Sequence, residues 1–158
     1  MSGENMSAES RVTFDASRLR VDSGRRQIYD RLRMKWLDFT PEEYVRQTFV
    51  DWLIANKGFS PYRMANEVGI SLNGTSRRCD TVVYNGERRP VMIIEYKAPS
   101  VKISQKTFDQ IVRYNMTLKV DYLVVFNGSQ CFCCKVDFEA GQCVFLNDIP
   151  TYDVISNV

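Results

Sequence analysis

At 158 residues, with 44% hydrophobic and 25% charged residues, the chain has the size and balance of one soluble globular domain with its own core. Histidine is absent, which excludes Ser-His triads, Cys-His nucleophiles and histidine-ligated zinc or iron sites. The net charge of +2 says little about partners, and no apolar run approaches the roughly 20 residues that span a bilayer.

Residues 1–16 are polar, show little periodicity and contain no apolar signal core. They read as the mobile tail of a cytoplasmic protein. Five cysteines, an odd number, fit reduced thiols in that compartment. Residues 17–158 read as a single domain, made of an accessory hairpin and connector (17–38), a core (40–128) and a C-terminal hairpin and tail (131–158). Leu19-Arg20-Val21 and Gln27-Ile28-Tyr29 flank the turn signal Asp22-Ser23-Gly24, which predicts the accessory hairpin. Arg31 to Asp38 reads as a connector whose Trp36 and Leu37 pack on the body. Arg25, Arg26, Arg31, Arg33 and Lys35 cluster here, as do Arg77 with Arg78 and Arg88 with Arg89. Such clusters either track a phosphate backbone or form a solvated face.

Thr40 is a sound N-cap, Pro41 suits the first helical position, and Glu43 stands three residues after the cap as a capping-box partner. Val45, Phe49, Trp52 and Leu53 repeat at helical spacing, and Gly58 ends the run. Capping accounts for Glu43. Glu42 is left at the border of the buried stripe, on the side of Arg46 and Phe49, or as a first-turn acid stabilised by the helix dipole. Ser60-Pro61 caps a short turn, and Asn66 to Leu72 reads as a strand turned by Asn73-Gly74.

The most informative stretch comes next. Arg77 to Tyr84 and Pro90 to Lys97 are rich in β-branched and aromatic residues and enclose the polar loop Asn85-Gly86-Glu87-Arg88-Arg89. That pattern predicts an antiparallel hairpin in which Asp80 lies roughly opposite Glu95. Strand alternation sends Glu95 and Lys97 to one face, with Ile94 and Tyr96 on the other. Two neighbouring carboxylates repel each other, and a hard cation such as Mg²⁺ removes the conflict. The plainer reading is a cross-strand salt bridge to Lys97, worth under about 1 kcal/mol.

Ser104 to Leu118 reads as a helix burying Phe108, Ile111, Val112 and Asn115, with Gln110 and Tyr114 together on one face. Tyr122 to Phe126 is a continuous apolar run, the mark of a strand buried on both sides. Cys131 to Val136 and Gln142 to Leu146 then pair around Glu139-Ala140-Gly141. Cys131, Cys133, Cys134 and Cys143 are either buried thiols or, less simply, ligands of a four-cysteine iron–sulfur cluster. The order of elements is α-β-β-β-α-β, followed by an extra hairpin.

Several of these motifs in one order resemble the PD-(D/E)xK nucleases, and more closely the N-terminal nuclease domain of type I restriction enzyme R subunits. The resemblance runs from about Gln27 to Pro150. It rests on Ile28-Tyr29-Asp30, Lys35-Trp36, Thr40 to Gln47, Arg78-Cys79-Asp80, Glu95 to Ser100, Phe108 to Asn115 and Phe126-Asn127-Gly128. It implies a restriction-endonuclease-like α/β core, a central mixed sheet flanked by helices, and a Mg²⁺-dependent deoxyribonuclease in which Mn²⁺ can substitute. Asp80, Glu95 and the Tyr96 carbonyl are the implied metal ligands, and Lys97 is implied to position the attacking water. Glu42, four residues before Arg46, is implied to face the metal directly or through water. Gln110 and Tyr114 match a Q-x-x-x-Y beside the site, and Arg46, Arg77, Arg78, Lys102 and Arg113 are the expected DNA contacts. R subunits carry a motor after this domain, but no G-x-x-x-x-G-K-[ST] loop occurs here. The expected partners are therefore DNA, a separately encoded motor or specificity subunit, and a second copy of the chain, with no membrane. The alternative is a catalytically inactive nucleic-acid-binding or scaffolding domain of the same fold.

Overall fold

The computed structural model describes residues 9, 13–72 and 74–157, without the side chains at 72, 75, 77 and 117. A small antiparallel sheet comes first, with β1 (Val21–Asp22), β2 (Gln27–Asp30) and β3 (Lys35–Asp38) in that order. The accessory hairpin is present as expected, but the segment read as a connector supplies a third strand. Tyr29 pairs with Trp36 across it. Trp36 was expected to pack on the body, yet it is exposed and meets the Tyr29 ring edge-on at 5.4 Å.

Helix α1 (Pro41–Asn56) starts where the cap predicts, with the Glu43 N–H donating to Thr40 Oγ1 at 3.0 Å. At its other end Gly58 takes φ of +74°, a conformation glycine adopts without a Cβ clash, and the Phe59 N–H folds back to the Leu53 carbonyl. A 3₁₀ turn at Pro61–Arg63 leads into β4 (Met64–Leu72), β5 (Thr75–Tyr84) and β6 (Pro90–Tyr96). Helix α2 (Gln105–Leu118) then crosses to β7 (Tyr122–Phe126), followed by β8 (Cys131–Asp137), β9 (Gln142–Leu146) and a short helix α3 (Tyr152–Ser156). The sheet runs in the order β4-β5-β6-β7-β8-β9, antiparallel except for the parallel pair β6 and β7 that α2 connects. A parallel pair needs such a crossover, because a tight turn cannot reverse the chain twice.

Each face of the sheet has its own core. Phe49 and Leu53 of α1 pack on Met92, Ile94, Val124 and Phe126. Phe108 and Ile111 of α2 pack on Ile93, Leu123, Val125 and Phe132. β7 is buried along its whole length, as its unbroken apolar run predicts. Phe14 falls inside the segment read as a mobile tail, but its ring lies 4.5 Å from that of Phe126 and 5.9 Å from that of Phe49. An aromatic ring buries too much apolar area to stay in water when a core is within reach. No described helix is long and apolar enough to cross a membrane.

The expectation of five reduced thiols is corrected at one pair. Register puts Val136 opposite Cys143 and Cys134 opposite Phe145, and the diagonal neighbours Cys134 and Cys143 are joined as a disulfide with their Cα atoms 5.8 Å apart. That bond takes two of the four sulfurs an iron–sulfur cluster would need. Cys79, Cys131 and Cys133 are buried and outside that disulfide. Burial pushes the Cys133 thiol up to about 12 and raises Cys131 well above the ordinary range, so both stay protonated and pack as small hydrophobes.

Candidate functional site

The hairpin of β5 and β6 carries the site. Val83 pairs with Met92, Val82 with Ile93 and Thr81 with Ile94, the last rung lying one residue from Asp80 on one strand and one from Glu95 on the other. The Asp80 carboxylate is fastened there, Oδ2 accepting the Tyr96 N–H at 2.9 Å. Glu95 is 8% exposed. Lys97 follows the last residue of β6, its N–H donating to the Phe126 carbonyl at 3.0 Å. By the two-residue alternation it follows Glu95 on the face opposite Tyr96.

Asp80 stands at a break in that alternation. Val82 and Cys79 are three apart yet both face the core under α2, whereas Val83 faces the α1 core. Across the ladder, Asn66 pairs with Thr81 and Val68 with Cys79, while no rung joins Glu67 to Asp80. Glu67 has φ of +56°. A non-glycine residue held in that region costs on the order of 1–3 kcal/mol and persists where its surroundings enforce it. Arg46 reaches both sides of the break, one terminal nitrogen lying 3.4 Å from the Asp80 carbonyl oxygen and 3.7 Å from the Glu67 carboxylate.

A cleft of about 330 Å³ opens between this break and α1, lined by Glu42, Glu43, Arg46, Glu67, Asp80 and Tyr96. Glu42 lies at its exposed rim. Glu43 is buried, and its role differs from the one read in the sequence. Its N–H completes the Thr40 cap, but its carboxylate turns away from a capping box to accept two bonds from Arg46, at 2.6 and 2.9 Å, and one from Gln47 at 2.9 Å. A buried carboxylate requires a cation and filled lone pairs, and Arg46 supplies the first. Arg46 therefore pairs with Glu43 rather than Glu42, and with 9% of its surface exposed it faces inward. Burial alone would raise the Glu43 carboxyl, but the bonds from Arg46 and Gln47 bring it below the ordinary range. Burial opposes the Arg46 charge too, and Glu43 more than restores it, leaving that guanidinium raised.

A second buried acid ties the small sheet to this floor. Asp30 is fully buried and accepts bonds from the Leu32 and Arg33 N–H groups, the Arg33 guanidinium and the Asn66 amide. Asn66 in turn accepts the Thr81 hydroxyl at 2.6 Å, and Thr81 meets the Tyr96 hydroxyl at 2.9 Å. Burial would raise the Asp30 carboxyl, but Arg33 and Asn66 hold it below its usual value. Burial raises the Tyr96 phenol, which keeps it neutral. Both acids titrate low in the folded chain. Their contribution to stability is full above the unfolded-state pKa of roughly 4 and is lost as pH falls through the lowered folded values. Thermal melts are therefore expected to fall steeply below about pH 4, and Asp30→Asn to make that fall shallower. An acid slope unchanged in Asp30→Asn would contradict the linkage.

The remaining residues singled out in the sequence lie elsewhere. Gln110, Arg113 and Tyr114 are exposed on α2, whose inner side buries Phe108, Ile111 and Leu118, and Lys102 is exposed just before that helix. Gln110 and Tyr114 share a face as their spacing predicts, but neither lines the cleft. The Arg78 side chain is 69% exposed, and the Arg77 side chain lies outside the described ones. Among the described residues, no group of three or more His, Cys, Asp or Glu side chains is arranged to hold a metal ion. Sequence reasoning missed the inward pairing of Glu43 and the burial of Asp30. The spacings Glu43 to Arg46 and Glu43 to Gln47, three and four residues, carried the first signal.

A search of curated proteins found no match. A family model for the type I restriction enzyme R protein N terminus (HSDR_N) matches residues 41–150, from the first residue of α1 to just before α3. With the sheet, the hairpin and both larger helices inside that match, the chain belongs to the family of the type I restriction enzyme R protein N terminus.

Proposed function

We propose that the protein is a Mg²⁺-dependent DNA endonuclease of a restriction system, built on a PD-(D/E)xK site. The observation that carries this reading is the Asp80 carboxylate fastened to the Tyr96 N–H, on the strand pair that also bears Glu95 and leads directly into Lys97. The order α1-β4-β5-β6-α2-β7 is the one the superfamily resemblance implies. The family's name supplies the restriction context.

The donor set suits the ion. Mg²⁺ takes one or two carboxylates and keeps several waters, so it does not need a cage of three or four acids. Asp80, Glu95 and the Tyr96 carbonyl would hold it, with Glu42 on the cleft rim reaching it through water. A bound Mg²⁺ supplies charge neutralisation at the phosphate and a more acidic water. Lys97 orients the attacking water and stabilises charge as it develops on the phosphate. The Asp80 carboxylate, with one oxygen tied to Tyr96, keeps its other lone pairs for ligation. Gln110 and Tyr114 position groups at the outer edge, while Arg77, Arg78, Lys102 and Arg113 contact phosphates of duplex DNA. A motor or specificity subunit, or a second copy of the chain, completes the assembly.

Cleavage of supercoiled plasmid, linear duplex and single strands with Mg²⁺ or Mn²⁺ tests the reading. Either ion is also expected to raise the melting temperature by mass action, and Asp80→Asn to abolish that rise. An unchanged metal response in Asp80→Asn removes Asp80 as a ligand. The second reading, a binding or scaffolding domain that does not cut, draws on the described residues, among which no three acidic side chains are gathered closely enough to hold a metal ion. Steeply salt-dependent DNA binding without cleavage in either metal would favour it.

A further inference from the structure

We infer that the small N-terminal sheet carries a second phosphate site, a cavity of three arginines that grips the DNA backbone beside the cleft. The sheet precedes the family match, which begins at residue 41. Its surroundings are basic in a way the whole chain is not. Residues 17–38 hold seven basic and three acidic side chains, against 21 and 19 in all 158 residues.

A cavity of about 240 Å³ lies between this sheet and α1, lined by Arg18, Arg20, Tyr29, Arg31, Gln47 and Asp51. The arginines are pre-oriented. Buried Asp51 accepts Arg18 at 2.8 and 3.1 Å and Arg31 at 3.1 Å, while half of each arginine side chain stays in solvent. The Arg20 guanidinium lies 4.2 Å from the Tyr29 ring centre and 5.3 Å from that of Trp36, a cation–π arrangement that aims it without cancelling its charge. One carboxylate, paired with two of the arginines, thus shares the lining with all three, leaving an excess of positive charge in a hollow large enough for a phosphate. Guanidinium forks match phosphate oxygens bidentately, and holding them in place beforehand removes part of the entropy cost of binding.

Position favours a nucleic-acid backbone over a free anion. Gln47, which lines the cavity, donates to Glu43, which lines the cleft. Glu43, Gln47 and Asp51 recur every four residues, so each step advances about 6 Å along α1. With about 3.4 Å of rise per nucleotide on one strand, the cavity meets a phosphate some two to four nucleotides from the one in the cleft. The choice of DNA as ligand rests on the nuclease reading, whereas the arginine site itself does not.

The test is binding of a short fluorescein-labelled DNA duplex in EDTA, followed by anisotropy across a salt series, for the full chain and for Arg20→Gln and Arg31→Gln. Each variant is expected to weaken binding several-fold and to reduce the slope of log K against log salt by about 0.9. Arg20→Lys should recover part of both. Arg20 is exposed, so its substitution leaves the melting temperature intact; should Arg31→Gln unfold by removing one of the two cations on buried Asp51, Arg20→Gln decides alone. Wild-type affinity and slope in Arg20→Gln overturn the inference even if Asp80→Asn still abolishes cleavage. Failure of the unmodified chain to bind the duplex overturns it as well. Arginine-dependent binding by a chain that never cuts supports the site and leaves only the nuclease reading to fall.

Discussion

Lys97→Ala is expected to slow plasmid cleavage by about a hundredfold to a thousandfold while leaving duplex affinity and melting temperature close to those of the unmodified protein. The range is that for removing one pre-aimed charge or donor from the place where negative charge builds up. Lys97 is suited to that role by its strand: its N–H is locked to the Phe126 carbonyl, and Phe126 is buried in the α1 core. The backbone under the ammonium is therefore rigid, so the variant should fold and bind as before. Binding rests on many phosphate contacts, of which Lys97 is at most one. Single-turnover cleavage beside anisotropy separates the two effects. Loss of affinity with an unchanged single-turnover rate would make Lys97 a phosphate contact and move the chemistry elsewhere.

Much of this arrangement could be read in the residues, because the signals concerned are local. Thr40-Pro41 set the start of α1, and the polar loop between Tyr84 and Pro90 set the hairpin whose last rung, Thr81 with Ile94, adjoins Asp80 and Glu95. The five apolar residues of β7 announced a strand with two covered faces. What escaped depends on tertiary partners. Lys35–Asp38 is too short and too polar to announce a strand, and becomes β3 by pairing with β2. The turn of both strands at Glu67 and Asp80 left no trace, since nothing in a glutamate predicts φ of +56°. Arg46 reaches both residues from another element, a contact no local pattern announces. The cysteines were counted correctly, but pairing Cys134 with Cys143 requires the register of β8 and β9. Phe14 was lost among polar neighbours, although its ring had a core to join.

The two adjacent glutamates give the sharpest contrast in expected stability. Glu43→Ala is expected to lower the melting temperature by roughly 6–20 °C, and Glu42→Gln to leave it unchanged. Removing the Glu43 carboxylate strands the Arg46 guanidinium, 9% exposed, with the Asp80 carbonyl at 3.4 Å and the Glu67 carboxylate at 3.7 Å as its remaining neighbours. Breaking a buried pair from one side costs about 3–5 kcal/mol, and each kcal/mol shifts a chain of this size by about 2–4 °C. The same loss frees Arg46 from its position beside Glu67 and Asp80, so cleavage should fall together with stability. Glu43→Gln keeps an acceptor but not the charge, and its expected effect is intermediate rather than the small one a capping-box role would give. Glu42 is exposed on the cleft rim, where substitutions usually stay within about 0.5 kcal/mol. Its loss should weaken the Mn²⁺-dependent rise in melting temperature and the cleavage rate alone. Melting curves with and without Mn²⁺, together with cleavage rates, separate the two. If Glu43→Gln proved as stable as the unmodified protein but lost its metal response, Glu43 would be the acid that reaches the ion, and its bond to Arg46 would have to open when the ion binds.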